Sequence, residues 1–167
     1  MSGELPPVLK IPDQPRHLKL YRFQWVGIPL IVLMPILALF GVFGLTAQHV
    51  EDATPDLVLR VDYPARFRHK QTTRLVALVE NTSPRTLDTL VVAFDPEYVR
   101  RFSELIFIPA PTEPFEMEFL DVKPGETRLV WAELHGERYG RHRGTIDAYA
   151  VGGPDTARVT VSSLIFP

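Results

Sequence analysis

The 21 residues from Thr145 to Ile165, TIDAYAVGGPDTARVTVSSLI, set the architecture of the C-terminal part of this chain. Two runs rich in β-branched and aromatic residues, Thr145–Val151 and Ala157–Ile165, flank Gly152-Gly153-Pro154-Asp155. A run–turn–run unit of this kind is a β-hairpin, because glycine reaches backbone angles closed to other residues and proline cannot continue a ladder. Similar runs recur upstream as far as Leu57. Leu57–Tyr63 alternates, with Leu57, Leu59, Val61 and Tyr63 on one face. Thr73–Asn81 (TRLVALVEN), Thr89–Phe94 (TLVVAF), Ser103–Ile108 (SELIFI), Phe115–Phe119 (FEMEF) and Thr127–Leu134 (TRLVWAEL) follow. Ser83-Pro84, Asp95-Pro96 and the Pro-rich stretch Pro109 to Pro114 punctuate them, and Lys123-Pro124-Gly125-Glu126 has the form of a type II turn with positive φ at Gly125. Only Pro96–Arg101 suggests a helical turn. Eight short strands between residues 57 and 167, with no intervening helices, predict a mainly β fold: an antiparallel sandwich.

Composition narrows the function classes. The chain has 167 residues, with 18 Lys and Arg against 20 Asp and Glu, 16 Pro and no Cys. The absence of Cys excludes disulfides, thiolate zinc sites, iron–sulfur clusters, c-type haem attachment and Cys lipid anchors. A formal net charge of −2 argues against nucleic-acid binding by bulk charge. A domain of about 110 residues buries enough surface to stand without staples.

The N-terminal part differs in kind. From Phe23 to Val50 there is no Asp, Glu, Lys or Arg, and Trp25–Leu45 reads WVGIPLIVLMPILALFGVFGL. As a helix, those residues would rise roughly 31 Å, close to the ~30 Å of a bilayer's hydrocarbon core. Trp25 and Tyr21 stand at one end, where amphipathic aromatics favour the interface. The run is longer than a signal-peptide core, and Leu45-Thr46-Ala47 is a poor cleavage site. Lys10, Arg16, Lys19 and Arg22 precede the run, whereas Glu51, Asp52 and Asp56 follow it. Positive charge stays inside, so the sequence predicts a protein of the bacterial inner membrane with a cytoplasmic N-terminus and a periplasmic C-terminal domain. The expected organisation is a tail at 1–24, a transmembrane helix at 25–46, a linker at 47–56 and the sandwich at 57–167. Pro29 and Pro35 free helix carbonyls that need other partners in lipid, and Gly41 and Gly44 offer flat surface for close helix approach. These four residues are candidate contacts to neighbouring membrane helices. With no ionisable side chain, the span has no proton relay or ion path.

Residues 57–167 resemble the immunoglobulin-like and fibronectin-III-like modules found outside bacterial membranes. The resemblance rests on the strand spacing, on Val79-Glu80-Asn81 at a strand end, and on Val122-Lys123-Pro124-Gly125-Glu126 before a strand. The chain departs from antibody-type domains in lacking the paired Cys, and Trp131, the candidate core aromatic, falls late. At the level of architecture, one helix with an outer sandwich resembles accessory subunits of photosynthetic reaction-centre–antenna and respiratory complexes. That resemblance implies a structural role, photosynthesis among the settings, with other membrane-protein subunits and the lipid bilayer as partners.

Candidate chemistry is sparse. His17, His49, His69, His135 and His142 form no HxH or HExxH pattern, and His135, Glu137 and His142 read as a polar loop rather than a metal site. No nucleophile motif or phosphate loop stands out, so the sequence predicts no enzyme, no cofactor and no small-molecule substrate. Asn81-Thr82-Ser83 is formally a glycosylation sequon. Arg138, Tyr139, Arg141 and Arg143 cluster in the expected loop HGERYGRHRG, a composition suited to docking. Phe107 and Ile108, ahead of the Pro-rich stretch, form a second candidate contact. Two roles follow as expectations: an accessory subunit of a larger membrane complex, or a cell-envelope assembly factor that grips a client through its outer loops.

Overall fold

The computed structural model describes residues 19–40, 44 and 46–167. Of the tail expected at 1–24, residues 1–18 lie outside the described residues, as does Gly41, and the rest is already helical. The chain divides into two compact units, residues 1–43 and residues 44–167.

In the first unit, helix α1 spans Lys19–Leu39 and contains Pro29 and Pro35. Its described apolar side chains are exposed all round the helix, among them Ile31 at 72% and Leu39 at 87%. The helix was expected to run to residue 46, and it ends at Leu39, with a turn at Phe40 and a bend at Gly44. Thr46 already belongs to a strand. The helical part of the apolar run, Trp25–Leu39, is therefore 15 residues, or ~22 Å against the ~30 Å of a hydrocarbon core. Among the described residues, no helix is long and apolar enough to cross a membrane.

The second unit is a curled β-sandwich. Its elements are β1 (Thr46–Ala53), β2 (Leu57–Arg68), β3 (Thr72–Asn81), β4 (Leu87–Phe94), α2 (Pro96–Val99), β5 (Phe102–Ile108), β6 (Glu116–Val122), β7 (Thr127–Gly136), β8 (Gly140–Ala150) and β9 (Thr156–Phe166). The strands follow one hydrogen-bonded order, β5-β7-β3-β2-β9-β8-β4-β6, with β1 also on β2. Among the described residues, all strand pairings are antiparallel except one: Arg66–Arg68 of β2 run parallel to Leu164–Phe166 of β9. The hairpin read at Gly152–Asp155 joins β8 to β9 as expected. Alternate residues of each strand enter a single core, including Leu59, Val61, Leu75, Val79, Leu90, Met117, Val130, Ile146 and Val161. That core is drawn from residues 50–165, so the sandwich carries a complete core of its own.

The linker expected at 47–56 is a correction, since β1 occupies most of it. Strand β1 pairs with β2 from Thr46↔Arg66 to Ala53↔Val58. Its side chains are too polar to show a buried face, and they are held by partners across the ladder instead. Tyr63 Oη donates to Gln48 Oε1 at 2.7 Å, His49 Nδ1 meets Asp62 at 2.8 Å and Arg60 Nε donates to Glu51 at 3.1 Å. On β9, the Arg158 amide donates to Asp52 at 2.8 Å.

Two buried polar groups close the ends of the sandwich. At one end Asn81 is fully buried, and its amide nitrogen donates to the carbonyls of Arg85 and Val122, both at 2.9 Å. Its Oδ1 accepts from Ser83 Oγ at 2.6 Å and from the Ser83 amide at 3.0 Å. The end of β3 is thereby tied to the end of β6, beside a Lys123–Glu126 turn in which Gly125 has φ +74. With every amide hydrogen and lone pair of the side chain engaged, the folded chain has no acceptor at the formal sequon. At the other end Tyr98, on α2, shares a 2.9 Å hydrogen bond with Ser163 Oγ, and that hydroxyl donates to the Pro64 carbonyl at 2.7 Å. Tyr98 packs over Gly144, where a Cβ would collide with its own Cβ.

Asn81→Ala should lower unfolding free energy by roughly 3 kcal/mol, because it strands buried carbonyls as well as losing bonds; urea denaturation measures this. Burial, moderated by the Ser163 hydrogen bond, pushes the Tyr98 phenol up to about 12. The unfolded chain gives up this proton near pH 10, so folding favours the protonated form. The resulting stability is complete below about pH 10 and is lost as pH rises towards about 12. Between about pH 9 and about pH 11 the wild type should lose on the order of 1 kcal/mol that Tyr98→Phe does not lose.

Candidate functional site

The expected loop HGERYGRHRG is mostly strand. With β7 ending at Gly136 and β8 beginning at Gly140, only residues 137–139 form the tip. Strand β8 starts early because it pairs with β9 from Gly140↔Ile165 onward. Alternation then sends Arg141 and Arg143 outward, while His142 lies half-buried with its ring edge on Phe102 at 6.5 Å.

The tip is pinned from the turn that follows β2. His69 Nε2 donates to the Glu137 carbonyl at 2.9 Å, which leaves Nδ1 to accept from Tyr139 Oη at 3.2 Å. The two rings lie 4.5 Å apart. His142 Nε2 donates to the Arg138 carbonyl at 2.8 Å. This arrangement presents Arg138 and Tyr139 on a fixed turn, with Tyr139 57% exposed.

Strand register brings two further arginines to this end of the sandwich. Arg66 of β2 pairs with Leu164 of β9, and Leu164 pairs on its other side with Arg141 of β8. One step along, Arg68 pairs with Phe166, and Ser162 pairs with Arg143. Paired residues share a face. The outer face of β9 here carries Ser162, Leu164 and Phe166, flanked by Arg66 and Arg68 on one side and Arg141 and Arg143 on the other. A groove of about 400 Å³, lined by Gln48, Ala65, Arg66, Arg141, Ser162 and Leu164, runs over it. Arg141 Nε donates to Ser162 Oγ at 3.1 Å.

Charge pairing sets this face apart. Arg60, Arg74, Arg85, Arg101, Arg128 and Arg158 each meet a carboxylate within 4.0 Å. Among the described residues, Arg100 has no such partner, and at this end of the sandwich neither do Arg66, Arg68, Arg138, Arg141 and Arg143. Sequence reading found three of these five. Arg66 and Arg68 were missed, although Arg66-Phe67-Arg68 alternates basic and aromatic residues and so marks one charged outer face.

The remaining candidates fall elsewhere. Phe107 pairs with Ala132 and packs partly buried against the core, its ring 5.2 Å from Phe94. Ile108 is 45% exposed beside the core. Trp131, the expected core aromatic, lies outward beneath the Arg74 guanidinium at 4.5 Å, while its neighbours Val130 and Ala132 are buried. Pro29 and Pro35 sit within α1, and Gly44 is the first residue of the second unit. His135 Nδ1 meets Thr72 Oγ1 at 3.2 Å, apart from His142. Among the described residues, no three His, Asp or Glu side chains converge to hold a metal ion.

No protein-family model matches the chain, and no curated protein matches it. Solved structures do. The chain is similar to the CARDB domain of a Pyrococcus furiosus protein in complex with di-metal ions, at 10% identity and a TM-score of 0.47, covering 66% of this chain and 93% of that one. It is similar to E. coli alpha-2-macroglobulin at 16% identity and a TM-score of 0.48, over 69% of this chain and 7% of that one. It is also similar to a PapD-like domain of human CEP192, at 10% identity and a TM-score of 0.41, over 68% and 89% of the two chains. None of these likenesses assigns a ligand or an activity to this chain, and the sandwich itself is read from its own strand pairings.

Proposed function

We propose that this chain is a non-catalytic accessory subunit of a larger integral-membrane complex, anchored through α1 and docking through its sandwich. The observation that carries this reading is the helix surface. Its described apolar side chains are exposed around the whole circumference, within a run that holds no charged residue from Phe23 to Val50. Water does not tolerate so large an apolar surface, so lipid or other helices must cover it. The apolar part of the helix, Trp25–Leu39, falls short of the hydrocarbon thickness, a mismatch relieved by assembly with neighbouring helices. Pro29 and Pro35 add freed carbonyls, which neighbouring helices can satisfy in lipid. The flanking charges support a bacterial inner-membrane location, with the N-terminus in the cytoplasm and the sandwich in the periplasm. Energy-transducing complexes, photosynthetic or respiratory, are the first hosts to test. No cofactor is assigned to the chain.

The full chain should stay in membranes after alkaline carbonate washing and co-migrate stoichiometrically with a multi-subunit complex in mild detergent. Recovery of a free monomer would replace the subunit reading with that of a transient envelope factor. Pro35→Leu should leave membrane retention unchanged and lower the yield of complex several-fold.

A further inference from the structure

We infer that the outer face of β2, β9 and β8 is a docking surface for anionic lipid headgroups, with a lipid phosphate seated between Arg66 and Arg141 over Leu164. The first argument is charge. Arg66, Arg68, Arg141 and Arg143 surround one stripe and have no carboxylate partner among the described residues, whereas Arg60, Arg74, Arg85, Arg128 and Arg158 are neutralised locally. A guanidinium binds phosphate oxygens through paired donors, and its charge does not depend on pH in the physiological range.

The second argument is the stripe between the cations. Leu164 is exposed and Phe166 half-exposed, so the strip between the two rows of arginines is largely apolar. Cations flanking an apolar strip match the boundary between headgroups and acyl chains, where long cationic side chains keep their heads in the polar layer. A polyanionic protein surface would match the arginines and leave the strip against carboxylates.

The third argument is chain continuity within the sandwich. Strand β1 begins in the charge-free run, and its first residue, Thr46, pairs with Arg66. The row Thr46–Arg66–Leu164–Arg141 thus crosses the sheet where the apolar run enters the domain. The choice of lipid over an acidic protein rests on the membrane reading above.

Residues 44–167 hold a complete core and can be tested alone, with thermal melting to verify the fold of each variant. Co-sedimentation with phosphatidylcholine vesicles, with and without phosphatidylglycerol, reads the interaction. Binding is expected only with phosphatidylglycerol, weakening as salt rises. An arginine near an anionic surface is worth about fivefold in binding, so the variant R66Q/R68Q/R141Q/R143Q should lose on the order of a hundredfold or more. Changing the paired residues, R74Q/R158Q, should change binding far less. Equal binding to both vesicle types, or an equal loss in the two variants, overturns the proposal. So does tight binding to poly-glutamate, which would assign the face to an acidic protein, or complete competition by inorganic phosphate, which would assign it to the free ion. Carbonate extraction of the full chain reports separately on the anchor. A retained chain whose sandwich ignores phosphatidylglycerol sinks the docking face alone, and an extracted chain whose sandwich binds sinks the anchor alone.

Discussion

Between Asp62 and Arg66 strand β2 changes partner. Its residues Leu57–Asp62 pair with β3, and Arg66–Arg68 pair in parallel with β9. Pro64 lies in the interval, where a residue without an N–H costs the ladder least. Its carbonyl is taken by Ser163 Oγ, which also meets Tyr98, so the crossing is clamped from β9 and from α2 together. Through this one strand the β3-β7-β5 part of the sheet is continuous with the β9-β8-β4-β6 part, and the two inner faces close on a common core. Asn81 performs the matching task at the far end, where its amide joins β3 to β6.

The same crossing creates the electrostatic character of the domain. Exposed ion pairs contribute little to stability, but where they form they cancel the local field. Along β3, β7 and the upper parts of β8 and β9, arginines face carboxylates across the ladder, as in the bidentate Arg158–Asp147 pair. Past the crossing, the residues opposite the arginines are Ser162, Leu164 and Phe166. The cations there keep their field, and it is concentrated at the end of the domain where β1 begins.

Much of the strand set was legible in the sequence. The runs later found in β2 to β9 announce themselves by alternation and by Gly, Pro, Asn and Asp between them. Three features escaped for separate reasons. Strand β1 has polar residues on both faces, and its pairing with β2 depends on side chains such as Arg60, Asp62 and Tyr63 that stand later in the chain. The first residues of β8 read as loop because Gly140 and the charged residues after it carry no apolar face of their own, and β9 supplies the ladder. Trp131 looked like a core residue by type, yet its position in the alternation puts it outside, with Arg74 over its ring. Of the arginine face, the half on β8 was visible as a local cluster, while Arg66 and Arg68 were visible only as two residues of a strand.

Residues 57–167 read as a sandwich of short strands without thiol chemistry from the chain alone, and the charge-free apolar run before them is equally plain there. Both are local properties: side-chain period is read from neighbours in the chain, and so is the absence of charge. Which arginines stand together depends on strand pairing. Arg66 and Arg141 are far apart in the chain, and nothing in the local pattern of either names Leu164 as the residue between them. Register across β2, β9 and β8 is set by how the core closes. A shift of one residue in the parallel pairing would turn these side chains to the other face, and burying Phe67 and Ile165 forbids that shift.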